Sequence, residues 1–510
     1  MRMPTLSLAA VALVLVACSG GSNGASAPAQ GGTPPDPQHH QPTPDPYRPG
    51  PAASAAGGVP YEDPGTNPFE DPDEDRVSTF ALDVDTGSYT RAQAFVADGY
   101  RPEAASVRVE EWVNAFEQGY PEPDESTFSI AADGGPTPFT DRDEVLLRIG
   151  LQARDVGSRS RQQAALTFVI DTSGSMQRES RLETVKDALR QLVLGLGQRD
   201  TIAIVTFGDD ARVVLPPTRA TDDERILDAI DELQPGGSTN LEAGLRLGYG
   251  LARETLTENG IDRVVLASDG VANVGLTDPE SILGAIRDDA EAGIELISVG
   301  VGMGNYNDAL LEQLADQGDG FYAYVNGPEE ARRLFAEDLT GTLQTVALDA
   351  KAQVEFDPDV VAAYRSVGYE NRAVADDDFT DDGVDAGAIG AGHAVTALYA
   401  VRLREDSGPQ SRLATVRVRW TDPDAGGAQE LAHAIRTSDL ERSFAFADPH
   451  LQFDAIVAAT AEVLRGSRYT ERLGLEDIAD VARSEEVELP PTQQVHDFLD
   501  MLDRLAAQGD

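Results

Sequence analysis

From Ala164 to about Thr342 the chain repeats one pattern, a short unbroken apolar run followed by a longer amphipathic stretch. The apolar runs are "ALTFVI", "TIAIVTF", "RVVLP", "DRVVLAS", "IELISVGV" and "FYAYV". Stretches such as "RLETVKDALRQLVLGL", "DERILDAIDEL", "LEAGLRLGYGLARETL", "PESILGAIRDDAEAG", "NDALLEQLADQG" and "PEEARRLFAEDL" place apolar residues at helical spacing. A strand that is apolar at every position must be covered on both faces, and helices connecting successive strands supply the cover. The pattern predicts an α/β fold with a doubly wound, mostly parallel, Rossmann-like sheet.

In such a sheet, ligands bind beyond the carboxyl ends of the strands, where several loops meet. Three loops carry polar groups there. "FVIDTSGSM" ends a buried run on Asp171, with Ser173 and Ser175 at alternate positions; "GGSTN" brings Thr239 to the start of a helix; "VVLASDG" ends another run on Asp269. Two carboxylates and three hydroxyls, without sulfur or imidazole, suit a hard cation. The expected ion is Mg2+, with Mn2+ or Ca2+ as alternatives. Mg2+ takes near-octahedral oxygens at about 2.0 to 2.1 Å and usually keeps water, which leaves a position open. Gly174, Gly236, Gly237 and Gly270 relieve crowding among these turns. DxSxS alone is also a frequent turn pattern, since Asp and Ser side chains bond their own backbone. The conjunction of three loops carries the expectation.

DxSxS at Asp171, Ser173 and Ser175, Thr239 after a Gly-Gly pair, and Asp269 in SDG resemble the metal-ion-dependent adhesion site (MIDAS) of von Willebrand factor A (vWA) domains. The stretches "FALDVDTGSY", "GGSTN", "GNYND", "VGYENR" and "DAGAIGAGHAVTALY" further resemble bacterial YfbK-type lipoproteins, which place an A domain between an N-terminal flanking region and a C-terminal extra domain. The resemblance covers most of Val77 to Asp510. It implies a six-stranded doubly wound domain, a bound divalent cation and protein binding through that cation.

The flanks read differently. Val77 to Leu151 mixes an alternating stretch "STFALDVDTGSY", a helical one "SVRVEEWVNAFEQG" and the strand-like "EVLLRIGLQA". After Leu343, "AQVEFDP", "AVTALYAVRL" and "LATVRVRWTD" alternate as half-exposed antiparallel strands; from Phe444, "LQFDAIVAATAEVLRG" and "QQVHDFLDMLDRLAA" turn helical. The two sets of strands have no other evident partners, so they are expected to pair with each other into a β-rich companion domain beside a C-terminal helical segment.

At the start, Arg2, the apolar "LSLAAVALVLVA" and the box "LVAC" resemble a bacterial lipoprotein signal. The resemblance implies cleavage before Cys18 and lipid on its sulfur and new amine, several acyl chains together giving stable anchoring. Cys18 is the only cysteine, which excludes a disulfide framework. From Ser19 to about Asp75 the composition collapses to Gly, Ala, Pro, Ser and Asp, a tether in which His39 and His40 read as spacer. The expected organisation is a signal peptide with its lipidated cysteine (1–18), a disordered tether (19–76), an N-terminal flanking region (77–160), a vWA domain with the MIDAS (161–343), a β-rich C-terminal domain (344–440) and a helical C-terminal region (441–510).

The balance of 88 acidic against 40 basic residues, a formal charge of -48, repels phosphate backbones and anionic lipid heads. Nucleic acid is therefore not expected as a partner, and membrane attachment is expected to rest on lipid alone. Other motifs are weaker. "DTGS" at Asp85 to Ser88 matches an aspartic protease signature, but the second candidate at Asp406 lies in a polar loop. Gly300, Gly302 and Gly304 imitate a dinucleotide loop, yet Asn305 stands where the third glycine belongs, so no nucleotide cofactor is expected. "DFTDDG" from Asp378 opens like a calcium loop, but Ile389 holds the twelfth position. The three metal loops supply neither His nor Glu as a general base, so no enzyme is expected. The sequence points to a lipid-anchored protein of the bacterial cell envelope, facing the periplasm or the cell surface, that captures a protein partner's Asp or Glu carboxylate through Mg2+. The alternatives are a structural envelope protein whose metal only ties loops together, and a metal-dependent hydrolase.

Overall fold

Strands from both flanks of the parallel unit meet in one β-sandwich, so the parallel unit sits in the chain as an insertion between them. The computed structural model describes residues 65–509 except 83–85, 125, 141–142, 157–161, 257–259, 270–281, 283, 285–292, 303–307, 319, 321, 326, 328–330, 333, 336–343, 371–373, 382–383, 385, 406 and 424. In chain order the elements are β1 (Val77–Ala81), α1 (Gly87–Ala97), α2 (Val109–Val113), β2 (Phe128–Gly135), β3 (Glu144–Ala153), β4 (Ala164–Asp171), α3 (Arg181–Gly195), β5 (Thr201–Phe207), β6 (Ala211–Arg219), α4 (Asp223–Asp231), α5 (Leu241–Arg253), β7 (Ile261–Ser268), β8 (Glu295–Val301), α6 (Asp308–Asp316) and β9 (Tyr322–Val325). The second flank adds β10 (Thr345–Phe356), β11 (Val361–Val367), β12 (Ala388–Gly390), β13 (Ala394–Leu403), β14 (Arg412–Thr421), β15 (Ala428–Arg436), α7 (Pro449–Leu464), α8 (Leu475–Ala482) and α9 (Gln493–Ala507). Among the described residues no helix is long and apolar enough to cross a membrane.

The parallel unit is a six-stranded sheet in the order β6-β5-β4-β7-β8-β9. Every pair is parallel except β5 with β6. All residues of β4 and β7 are buried, as apolar runs at the centre of a doubly covered sheet require. On one face Leu166, Phe168 and Ile170 pack with Leu182, Val185 and Leu189 of α3. On the other, Val169 and Val205 pack with Leu245 and Tyr249 of α5 and Leu311 of α6. The edge strand β6 carries Pro216 and Pro217 and exposes much of its length, where a missing ladder donor costs least. Two glycines set the height of α5. A Cβ on Gly248 would stand 2.3 Å from Val169 Cγ2, and one on Gly244 2.7 Å from Phe207 Cδ1, so the helix lies closer to the sheet than any side chain would allow.

The expected companion domain has two antiparallel sheets. One runs β1-β10-β14-β15 with β12 on β10, the other β11-β13-β3-β2. Each joins strands from both flanks, since β1 pairs with β10 and β3 with β13. Period-two alternation sorts the side chains. Leu147, Ile149, Leu151 and Tyr399 point into the sandwich with Val354, Phe356 and Val418, while Leu146, Leu398 and Ala400 meet the core formed by α1, α2, α7, α8 and α9.

Three local expectations fail. The tether expected over 19–76 stops short of its expected end, because Asn67 Nδ2 donates to the Gly368 carbonyl at 2.8 Å and the Glu70 N–H to the Tyr364 carbonyl at 2.8 Å, which joins this stretch to the sandwich. The alternating stretch from Ser78 to Tyr89 is strand only to Ala81 and is helical from Gly87. The helical reading of 106–119 gives a helix only over Val109–Val113. Asn114 explains the stop: its amide nitrogen donates to the Glu110 carbonyl at 2.9 Å and to the Thr396 carbonyl at 3.0 Å, and its oxygen accepts the Thr396 N–H at 2.7 Å. A side chain that bonds so well to a neighbouring strand's backbone competes with helix continuation.

Candidate metal-ion site

The three loops singled out in the sequence are neighbours at the carboxyl ends of the central strands. Asp171 ends β4 level with Phe207 at the end of β5, and on its other side Ile170 stands level with Ala267, two residues before Asp269. Asp171 Oδ1 accepts the Ser173 N–H at 2.7 Å, which folds the chain back at once, and the Ser173 and Ser175 hydroxyls lie 2.9 Å apart.

Backbone hydrogen bonds weld the second loop to the first. The Gly174 N–H donates to the Gly237 carbonyl at 3.1 Å and the Gly236 N–H to the Thr172 carbonyl at 2.6 Å. Asp209 holds the far side by accepting both the Ser238 N–H at 2.9 Å and its hydroxyl at 2.6 Å. Gly237 has φ +90, and a Cβ there would meet the Asp209 carboxylate at 3.1 Å, so this turn requires glycine. Thr239 is buried at the entrance of α5, whose cap Asn240 accepts the Ala243 N–H at 3.2 Å. The close seating of α5 on the sheet thus fixes the height of Thr239.

The third loop joins the first through side chains. Ser268 donates its hydroxyl to Asp171 Oδ2 at 2.7 Å. Asp269 accepts Arg181 Nη1 on its Oδ2 at 2.9 Å, while its Oδ1 is buried with no hydrogen-bond partner. Asp171 is 0% exposed and Asp269 2%, against an Arg181 that is itself 8% exposed. Burial pushes the Asp171 carboxyl up to about 6, with hydrogen bonds from Ser268 and Ser173 opposing and the charge of Asp269 adding. Among the described residues, two buried carboxylates share the rim with one guanidinium, and Asp269 Oδ1 is left buried without a hydrogen bond. A hard cation fits that deficit, and the oxygen donors suit it. Among the described residues no group of three or more His, Cys, Asp or Glu side chains is placed to hold a metal, so a cation at this rim would need hydroxyl oxygens beside the two carboxylates.

Arg181, Ser268 and Asp209 were not singled out in the sequence. Ser268 adjoins a singled-out aspartate and could have been noticed; Arg181 could not, because only the fold brings the start of α3 to the end of β7. Arg181 also explains Gly302: with φ +83, a Cβ there would lie 2.2 Å from Arg181 Nε.

The weaker motifs fall into structural positions. Ser88 opens α1, its N–H donating to Glu111 at 2.8 Å and its hydroxyl to the Ser106 carbonyl at 2.7 Å. Ile389 is buried in the sandwich, and the carbonyls of Asp378 and Asp381 accept the buried ammonium of Lys351 at 3.1 and 2.6 Å. Cys18, His39, His40, Asp85, Gly270, Gly304, Asn305 and Asp406 lie outside the described residues.

Comparison with known proteins follows the same division of the chain. Residues 165–337 match the von Willebrand factor type A domain family, 57–148 match a von Willebrand factor family and 341–507 match the C-terminal family of the uncharacterized protein YfbK. The chain is 35% identical over 459 residues to the uncharacterized protein YfbK of Escherichia coli (strain K12), covering 85% of this chain and 79% of that one. It is 26% identical over 295 residues to the uncharacterized protein sll0103 of Synechocystis, covering 57% and 69%. Inter-alpha-trypsin inhibitor heavy chain H3 of Bos taurus is 30% identical over 188 residues, 35% of this chain and 20% of that one. Among solved structures, a von Willebrand factor type A protein from Catenulispora acidiphila aligns over 63% of this chain and 75% of its own with a TM-score of 0.39 and 18% identity.

Proposed function

Because this chain belongs to the YfbK family of von Willebrand factor A domain proteins, we propose that it is a non-enzymatic binding module, anchored through lipid on Cys18 and exposed in the bacterial envelope, that captures a carboxylate of a protein partner at its MIDAS. A type A domain supports a role in protein interaction or adhesion. The observation that carries the finer reading is the buried, unpartnered Oδ1 of Asp269 beside a second buried carboxylate, Asp171, with Arg181 as the nearby cation.

Asp171, Ser173, Ser175, Thr239 and Asp269 are the residues that hold the ion. Bound Mg2+ supplies positive charge with a coordination position left for the partner's Asp or Glu. Ser173, Ser175 and Thr239 would contribute neutral oxygens, so a bound ion keeps part of its positive charge for the partner's carboxylate. Arg181 holds Asp269 in place and offsets part of the repulsion between the two aspartates at 2.9 Å from Oδ2. Without a cation the rim and a chain of formal charge -48 repel an acidic partner, which makes capture conditional on metal.

The test immobilises the full chain and exposes it to an envelope extract in Mg2+ or in chelator, beside Asp171→Ala. The expected result is capture in Mg2+, release by chelator, no capture by the variant, and loss of capture once the extract's carboxyls are amidated. Capture indifferent to chelator overturns the reading. A large fall in unfolding temperature on chelation, with capture unchanged, would assign the ion to loop stabilisation instead.

A further inference from the structure

An edge strand offers its unpaired N–H and C=O groups to any chain able to pair with them, so folded proteins block their edges. Among the described residues each free edge but one carries such a device. β6 has Pro216 and Pro217. β9 is four residues long and lies against α1, where a Cβ on Gly87 would stand 3.2 Å from the Tyr322 ring, and β12 spans three residues. The Thr79 carbonyl of β1 accepts the Val374 N–H at 3.0 Å. Tyr364 of β11 exchanges both backbone bonds with Glu70, at 2.8 and 3.1 Å, and the Gly134 carbonyl of β2 accepts the Glu441 N–H at 2.7 Å.

β15 lacks all of these. It is nine residues long, exposed along most of its length, and holds no proline, glycine or lysine. Backbone bonds at its two ends fix which of its groups are free. The Asp422 N–H donates to the Gly427 carbonyl at 3.3 Å at the hairpin turn, and the Thr437 N–H to the Ser411 carbonyl at 3.0 Å beyond the strand's far end. Alternation between those ends turns the backbone groups of Gln429, Leu431, His433 and Ile435 toward β14 and those of Glu430, Ala432 and Ala434 away from it. Among the described residues nothing pairs with that outward set. Arg436 closes it, its N–H held by Asp439 Oδ2 at 2.8 Å.

The charges on this edge complement a second copy of the same strand. Arg436 stands directly opposite Arg412 of β14, a like-charge pairing that opposes the sheet. Arg412 turns to Asp357 at 3.3 Å, whereas the Arg436 guanidinium donates to the Gln410 carbonyl at 3.1 Å and meets no carboxylate among the described residues. Glu430, on the same face, has Arg419 and Arg417 only at 3.7 and 4.0 Å. An antiparallel copy turned about His433 sets Glu430 beside Arg436 at both ends, with Ala432 beside Ala434 between them. Displacing that copy by one residue would set outward groups against inward ones and lose the ladder, and displacing it by two would separate the charges.

We propose that β15 is the interface of a homodimer in which two copies of the strand pair antiparallel about His433 and join their sheets into one. Backbone hydrogen bonds supply the affinity, and the pairs of Glu430 with Arg436 of the second copy set the register. The proposal is independent of the metal site.

Sedimentation of the full chain over a concentration series tests it, with near-ultraviolet dichroism to check each variant's fold. The wild type is expected to pass from monomer to dimer as concentration rises. Ala434→Pro removes an N–H that faces solvent in the monomer, so the fold should stand while dimerisation weakens at least tenfold. Glu430→Arg and Arg436→Glu should each weaken it severalfold, and an equimolar mixture of the two should dimerise as the wild type does, because each reversed charge then meets its opposite. In a chain freed of its only cysteine by Cys18→Ser, His433→Cys should oxidise to a disulfide-linked dimer, since side chains opposed across a non-hydrogen-bonded antiparallel pair lie at disulfide distance; Gln429→Cys, on the same face but far from the axis, should not. A wild type that stays monomeric up to about 1 mM, a dimer indifferent to Ala434→Pro, no rescue on mixing, or equal crosslinking at positions 429 and 433 would each overturn the proposal.

Discussion

Asp454, on α7, has no exposed surface and shares Arg148 with Asp133 and Asp448, at 3.4, 2.5 and 3.1 Å. Burial pushes its carboxyl up to about 6, although Arg148 and Gln118 draw it down. An unfolded aspartate titrates near 3.9, so folding takes up a proton between those values. The stability from that uptake is fully present below about pH 4 and is lost as pH rises through about 6. Asp454→Asn removes the effect. The variant's unfolding free energy minus that of the wild type should therefore rise between about pH 4 and pH 6 and level off above; a difference flat across that window contradicts the assignment. At this scale the meeting of the three loops at one rim was legible. Five oxygen-bearing side chains stood out because the chemistry of a hard cation limits the residue types, whereas the pairing of Arg181 with Asp269 depends on where α3 begins in space and left no mark in the sequence.

At the scale of elements, α5 ties packing to the site. Gly248→Ala gains helix propensity of up to about 1 kcal/mol but drives a Cβ to 2.3 Å from Val169, an overpacking that costs about 1–3 kcal/mol. We expect a net loss in urea unfolding together with weaker Mg2+ binding, because Thr239 moves with the helix. Gly250, on the same helix, has nothing within 4 Å of its would-be Cβ. Gly250→Ala should stabilise by up to about 1 kcal/mol and leave Mg2+ binding unchanged. Two variants of the same chemical kind are thus expected to move stability in opposite directions. Among the elements, the central strands were legible because double burial leaves an unmistakable apolar run. β2, with "AADGG" at its end, and β15, exposed along most of its length, were not, since neither shows an apolar alternation. α1 begins on Gly, Ser and Tyr, residues that do not mark a helix.

For the whole molecule, the sandwich depends on strands separated by the entire parallel unit. Glu70 bridges to Tyr364, β1 pairs with β10 and β3 with β13. A fragment of residues 344–510 lacks β1, β2 and β3 and therefore one side of each sheet. It should show no near-ultraviolet dichroism by itself, whereas residues 161–343, whose two cores draw on that segment alone, should fold. A folded 344–510 fragment would contradict the interlocked arrangement. That the flanks pair was readable from strands without evident partners, but the order of strands in each sheet was not, because register is decided by contacts across the sandwich rather than along the chain.

The most direct test of the account is calorimetric titration of the full chain with Mg2+ beside Asp171→Asn and Thr239→Val. The account predicts one saturable site in the wild type, severalfold weaker binding with Thr239→Val, and none with Asp171→Asn while its unfolding temperature stays near that of the wild type. No saturable binding in the wild type, or equal binding in all three proteins, would contradict the claim that these three loops form a cation site.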